Sequence, residues 1–143
     1  MLLGLALASL AADPVPPASP RDTSVQAAVR VVQDYYAAVS RRDYRAAYAI
    51  WHGAQDYVHF RRGYAATRSV RVTFLKPGMP EGAAGSIYLE VPVRVDARRR
   101  SGARQHFVGS YTLRRVNDVP GSTAAQRRWH IESAHLKRVP ASR

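Results

Sequence analysis

The chain has 143 residues, no cysteine and a formal net charge of +12, from 22 Lys+Arg against 10 Asp+Glu. That length holds one compact domain with a usable core and no second one. The lack of cysteine excludes disulfides, thiolate catalysis, cysteine metal ligands and a lipid-modified cysteine in this sequence. All the cations but Lys76 and Lys137 are arginine, and the excess favours anionic partners by long-range attraction without choosing among them.

Leu2 to Leu10 is a short apolar run, and Ser9-Leu10-Ala11 places small residues at the spacing a signal peptidase prefers. The expectation is an export signal over residues 1–11 and a periplasmic or secreted protein. So short a run does not span a bilayer, which takes ~20 residues of helix. Four prolines between Asp13 and Pro20 predict a flexible tether over 12–22, ahead of a folded domain at 23–139 and a tail at 140–143.

Thr23 and Gln26 have the spacing of a capping box, and Val25, Ala28, Val29, Val32, Tyr36 and Val39 recur at helical intervals behind them. A helix from about Ser24 to Ser40 follows. Asp43 has the character of an N-cap for a second helix whose apolar face is Tyr44, Ala47, Tyr48 and Trp51, with Gly53 ending it. Tyr57, Phe60 and Tyr64 suggest a short third helix with Gly63 inside, a residue that costs about 1 kcal/mol of propensity there.

The period then changes from helical to alternating. Val70, Val72 and Phe74 alternate with Arg71 and Thr73 as a strand, and Lys76 to Gly85 reads as a Pro/Gly-rich loop. Ile87, Leu89, Val91, Val93 and Val95 form one face of a long strand, with Tyr88, Glu90, Arg94 and Asp96 on the other. A basic turn at Arg98 to Gly102 leads into a return strand from Arg104 to Val116. After a polar connection, a last strand spans about Arg128 to Val139. There Trp129 and Ile131 share one parity and Leu136 has the other, which a bulge near Ser133 reconciles.

This order predicts an α+β domain: N-terminal helices packed on a curved antiparallel four-stranded sheet. It resembles the NTF2-like superfamily, also called cystatin-like or SnoaL-like. The likeness rests on Tyr35-Tyr36, on Asp43-Tyr44 with Ala46-Ala47-Tyr48, on Phe60-Arg61-Arg62-Gly63-Tyr64 and on Trp129-His130-Ile131. The runs Gly82 to Val93 and Gly109 to Asn117 are similar to exported bacterial proteins of this fold with no assigned activity. The resemblance covers about Thr23 to Val139 and implies a cone enclosed by helices and sheet. The superfold hosts isomerases, dehydratases, transport factors and accessory domains, so it implies no single activity.

Enzymes of the superfamily place an Asp or Glu base, often with Tyr or His, inside that cone, so the face each carboxylate occupies decides the question. By alternation Glu90, Asp96, His106, His130 and Glu132 oppose the apolar rows and belong to the outer face of the sheet. The cone is then lined by aliphatic groups and aromatic rings, with Tyr36, Tyr48, Trp51, Tyr64, Phe107, Tyr111 and Trp129 as candidate ligand-binding residues. The same lining also describes a filled core.

The acid-base candidates that remain are Asp56 and His59, at i, i+3 on the third helix, with His52 close in sequence. No spacing matches a metal site, no Gly-rich loop precedes a helix, and no cofactor is expected. Arg98, Arg99, Arg100 and Arg104, with His106 and His130, form a candidate partner surface. Without exposed aromatics in the turn this argues against nucleic acid and for an anionic envelope surface or acidic protein. The outer sheet face also offers a homodimer contact.

The reading is an exported binding or interaction domain for a hydrophobic small molecule or protein partner, without catalysis. An isomerase or dehydratase using an Asp/His/Tyr set is the first alternative. An accessory or inhibitor protein docking through the convex face is the second.

Overall fold

The computed structural model describes residues 23–51 and 55–140. The expected export signal, tether, Gly53, His52 and most of the tail lie outside the described residues. The elements run α1 (Val25–Ser40), α2 (Tyr44–Ala49), α3 (Tyr57–Arg62), β1 (Thr67–Phe74), β2 (Glu81–Ala83), β3 (Ser86–Arg99), β4 (Arg104–Val116) and β5 (His130–Val139).

Helix α1 begins one residue later than the capping box implies. Ser24, not Thr23, is the N-cap, its hydroxyl accepting from the Ala27 N–H at 3.1 Å. Its buried face is Ala27, Ala28, Val32, Tyr35, Tyr36, Ala38 and Val39, so both tyrosines of the pair point inward. Asp43 caps α2 as expected, accepting from Ala46 N–H. The helix stops at Ala49, however, and does not reach Gly53. Trp51 instead forms a parallel bridge to Ile131, where the Ile131 N–H donates to the Ile50 carbonyl at 2.9 Å. That bond pins the chain after α2 to the start of β5, and the tertiary partner outweighs the helical spacing of Trp51. Gly63 is the C-cap of α3 and not an interior residue, which leaves Tyr64 beyond the helix and removes the propensity cost.

The sheet has the order β1-β3-β4-β5, all antiparallel, with the short β2 folded back on β3. β2 lies in the stretch expected to be a loop, and its three exposed residues carry no apolar alternation by which to find it. The alternation in β3 holds: Leu89, Val91, Val93 and Val95 are buried, and Glu90, Arg94 and Asp96 are exposed. Burying each such aliphatic side chain is worth roughly 1.5–3 kcal/mol. The parity problem in β5 resolves at Glu132. Ile131 pairs with Leu113 and Ser133 with Thr112, so Glu132 is the extra residue of a bulge. Beyond it Ala134 and Leu136 return to the inner face, opposite Tyr111 and Gly109.

The inner face narrows along the strands. At one end Leu89, Leu113 and Ile131 are sealed against α1, whose residues pack on β1, β3 and β5. At the other end Val70, Ala97 and Gln105 stand in register and are more open. Ala97 and Gln105, beside the β3–β4 hairpin, are only partly buried, so the cone is open at that end.

Candidate functional site

A cavity of about 420 Å³ occupies the cone and opens to solvent. Tyr35, Tyr36 and Trp51 form its helical wall, Phe60, Gly63 and Tyr64 its roof, and Val95, Phe107, Tyr111, Ala134 and Leu136 its sheet floor. Gln55, Thr67, Val70, Ala97 and Gln105 complete the lining. No Asp, Glu or His is among the described residues that line it.

Its polar character comes from two phenol pairs. The Tyr35 hydroxyl is bonded to the Tyr64 hydroxyl, and the Tyr36 hydroxyl to that of Tyr111 at 2.5 Å. Two hydroxyls that bond to each other use one proton between them. Each pair therefore retains one O–H and spare lone pairs for a third group. Tyr35 sits at the centre of the aromatic cluster, with Tyr36 edge-on at 5.1 Å between centroids, Trp51 at 6.1 Å and Tyr111 at 6.0 Å. The Trp51 Nε1 is buried and closes no hydrogen bond of full geometry among the described residues, although it weakly favours ionisation of the nearby Tyr35 oxygen.

Burial sets the protonation of this cluster. Loss of water pushes the Tyr35 hydroxyl up to about 12, only partly offset by its bond to Tyr64. Burial likewise raises Tyr36, Tyr64 and Tyr111, and a second phenolate in contact would add repulsion. All four are neutral hydrogen-bonding groups at physiological pH and weak candidates for a base.

Of the residues expected to contact a ligand, the cavity brings together Tyr36, Trp51, Tyr64, Phe107 and Tyr111. Tyr48 and Trp129 stand elsewhere. Tyr48 packs edge-on to Tyr57 and against Phe60, behind the roof. Trp129, the residue before β5, is buried, with the Arg115 guanidinium 5.3 Å from its ring centroid. Tyr35, the central lining residue, was legible as the i+3 neighbour of Val32 but is masked by Tyr36 at i+4. Ala134 and Leu136 could not be placed without the position of the bulge.

Asp56 and His59 are exposed and outside the lining. Asp56 is the N-cap of α3, and its Oδ1 accepts from the His59 backbone N–H at 3.0 Å. The i, i+3 spacing that suggested a carboxylate orienting an imidazole is thus the spacing of a helix cap.

The arginines and histidines expected on a partner surface are spread along the outer side of the sheet and its β3–β4 hairpin. His106 pairs with Val139 at one end of the β4–β5 ladder and His130 with Arg114 at the other, roughly 27 Å apart at ~3.4 Å per residue. Arg98 and Arg104 face each other across the β3–β4 hairpin near His106, whereas Arg99 falls on the opposite parity and Arg100 lies in the turn. Among the described residues no three His, Asp or Glu side chains form a metal cluster, and no helix is long and apolar enough to cross a membrane.

A helix-backed antiparallel sheet enclosing an apolar cone defines the NTF2-like fold, and this chain has it. The crystal structure of a candidate dehydratase from the NTF2-like family, from Streptomyces avermitilis, superposes with a TM-score of 0.55 at 15% identity, covering 84% of this chain and 99% of that one. No protein-family model and no curated protein sequence matches the chain.

Proposed function

We propose that the cone is a binding site for an uncharged, largely apolar small molecule carrying a hydrogen-bonding oxygen, and that the chain does no chemistry on it. One observation carries this reading: a cavity of about 420 Å³ whose described lining offers rings, aliphatic groups, phenols and amides but no carboxylate or imidazole. Sites for small ligands are mainly apolar with a few convergent polar groups, and this volume suits a molecule of drug-like size. The spare O–H of each tyrosine pair fixes the oxygen, and the rings exclude water around it.

The experiment is titration with Nile red, an uncharged apolar dye with a carbonyl, against the wild type and against Ala97→Phe and Ala134→Phe. Both substitutions narrow the cavity from the sheet side. Binding by the wild type and loss in both variants is the expected result. Equal binding by all three proteins refutes the site.

An isomerase or dehydratase is the second reading, favoured by the description of the Streptomyces avermitilis protein. Four neutral phenols can polarise a carbonyl, but the base such chemistry needs is not supplied by any described lining residue. Deuterium exchange beside the carbonyl of a bound apolar ketone, faster than in buffer, would move this reading ahead.

The apolar Leu2–Leu10 segment supports an exported location as part of the same proposal. N-terminal sequencing of the protein from its native host checks it, and a retained Met1 counts against it.

A further inference from the structure

Outside the cone, on the opposite face of the sheet, a groove runs across β1, β3 and β4 at the hairpin end, lined by Arg68, Arg71, Asp96, Arg98, Arg104 and His106. The register explains its composition. Arg71, Asp96 and His106 form one cross-strand row, and Ser69, Arg98 and Arg104 the next. The rows are about 7 Å apart and three strands span about 10 Å, so the guanidiniums surround a space the size of a small polyanion. Arg68 is the extra residue of a bulge in β1, since Thr67 pairs with Arg99 and Ser69 with Arg98. A bulge re-aims a side chain, and here it adds a fourth arginine to a face that strict alternation would deny it.

Four exposed guanidiniums thus meet a single carboxylate, and that carboxylate is already engaged: Asp96 Oδ1 lies 2.5 Å from His106 Nδ1. None of Arg68, Arg71, Arg98 and Arg104 has an ion-pair partner among the described residues. Like charges gathered without counter-charges repel, and an anion in the groove relieves that repulsion. A planar carboxylate has two oxygens and is satisfied by one or two arginine forks. A phosphate presents several oxygens that can be met from different sides, and guanidinium forks match them. From this arrangement we infer that the groove is a binding site for clustered phosphates, on the side of the sheet away from the cone.

Calorimetric titration with sodium tripolyphosphate at low salt tests the inference, using the full chain. Arg71→Ala/Arg98→Ala is compared with Arg61→Ala/Arg62→Ala, which removes the same charge from exposed positions on α3. Loss of about tenfold or more in affinity for the groove pair, and less than about twofold for the α3 pair, is expected. Equal losses would mean that only net charge attracts the anion and overturn the site. Arg68→Ala/Arg104→Ala repeats the test on the other side of the groove, and thermal melts establish that each variant is folded. A parallel arm with phosphatidylglycerol vesicles against phosphatidylcholine vesicles decides the source of the phosphates. Binding of tripolyphosphate alone assigns a soluble phosphate compound, groove-dependent binding of the anionic vesicles assigns a lipid headgroup, and binding of neither overturns the inference.

Discussion

The Tyr36 hydroxyl meets the Tyr111 hydroxyl at 2.5 Å, joining α1 to β4 across 75 positions of chain in the wall of the cavity. The contact serves the fold and the cavity together. It satisfies two buried polar atoms, and it leaves one O–H uncommitted beside the cavity.

Removing one partner strands the other. Tyr36→Phe and Tyr111→Phe should each lower unfolding free energy by about 1–3 kcal/mol, because a buried hydroxyl loses its hydrogen bond. The double variant should cost less than the sum of the two. Denaturant unfolding of the four proteins closes the cycle, and strict additivity would show that the pair is not coupled.

The four raised phenols make the fold sensitive to alkali. Their folded pKa values lie above the ordinary 10, so the folded state holds its protons more tightly than the unfolded chain. The Tyr35 share of this stability is fully present below pH 10 and is lost as pH rises from 10 through about 12, where Tyr35 itself titrates, and the shares of the other three, raised further, are lost at still higher pH. Phenolate absorbance followed beside circular dichroism checks this. Ionisation of all the tyrosines near pH 10 with the fold intact would contradict it.

Gly109 faces the β5 backbone with no room for a side chain. A Cβ there would overlap the His135 carbonyl oxygen and stand 2.8 Å from its carbon and 2.9 Å from the Leu136 Cα. Backbone cannot swing aside as a side chain does, so Gly109→Ala should destabilise by about 3 kcal/mol or more, or prevent folding. A thermal midpoint within a degree or two of the wild type would show that β5 yields.

Asp56 acts as a cap. Asp56→Ala should cost about 1 kcal/mol, whereas Asp56→Asn, which can still accept from the His59 N–H, should cost a few tenths at most. Nile red affinity should be unchanged in both. A loss of affinity in Asp56→Asn with stability intact would return this residue to the site.

The long strands and the first helix were legible because their partners are uniform. Any residue on the inner face of β3 meets apolar surface, so Leu89, Val91, Val93 and Val95 declare their side by period alone. The ends of elements were not, because each is settled by a single contact with a distant residue. Trp51 leaves α2 for Ile131, Ser24 takes the cap from Thr23, and Gly63 closes α3. The site was half legible for the same reason: aromatic residues announce themselves as interior, but period does not say whether a ring lines a cavity or packs behind its wall, as Tyr48 and Trp129 do.

By itself the sequence determined the fold class, the inward face of the main strands and the outward placement of their acids and histidines, since burial of alternating apolar side chains admits one orientation. Only the tertiary structure decided that four phenols pair inside an open cone, that Glu132 bulges to turn Ala134 and Leu136 inward, and that arginines far apart in the chain share one groove. Those outcomes depend on register and closure, which are fixed when strands meet and are not carried by any local pattern.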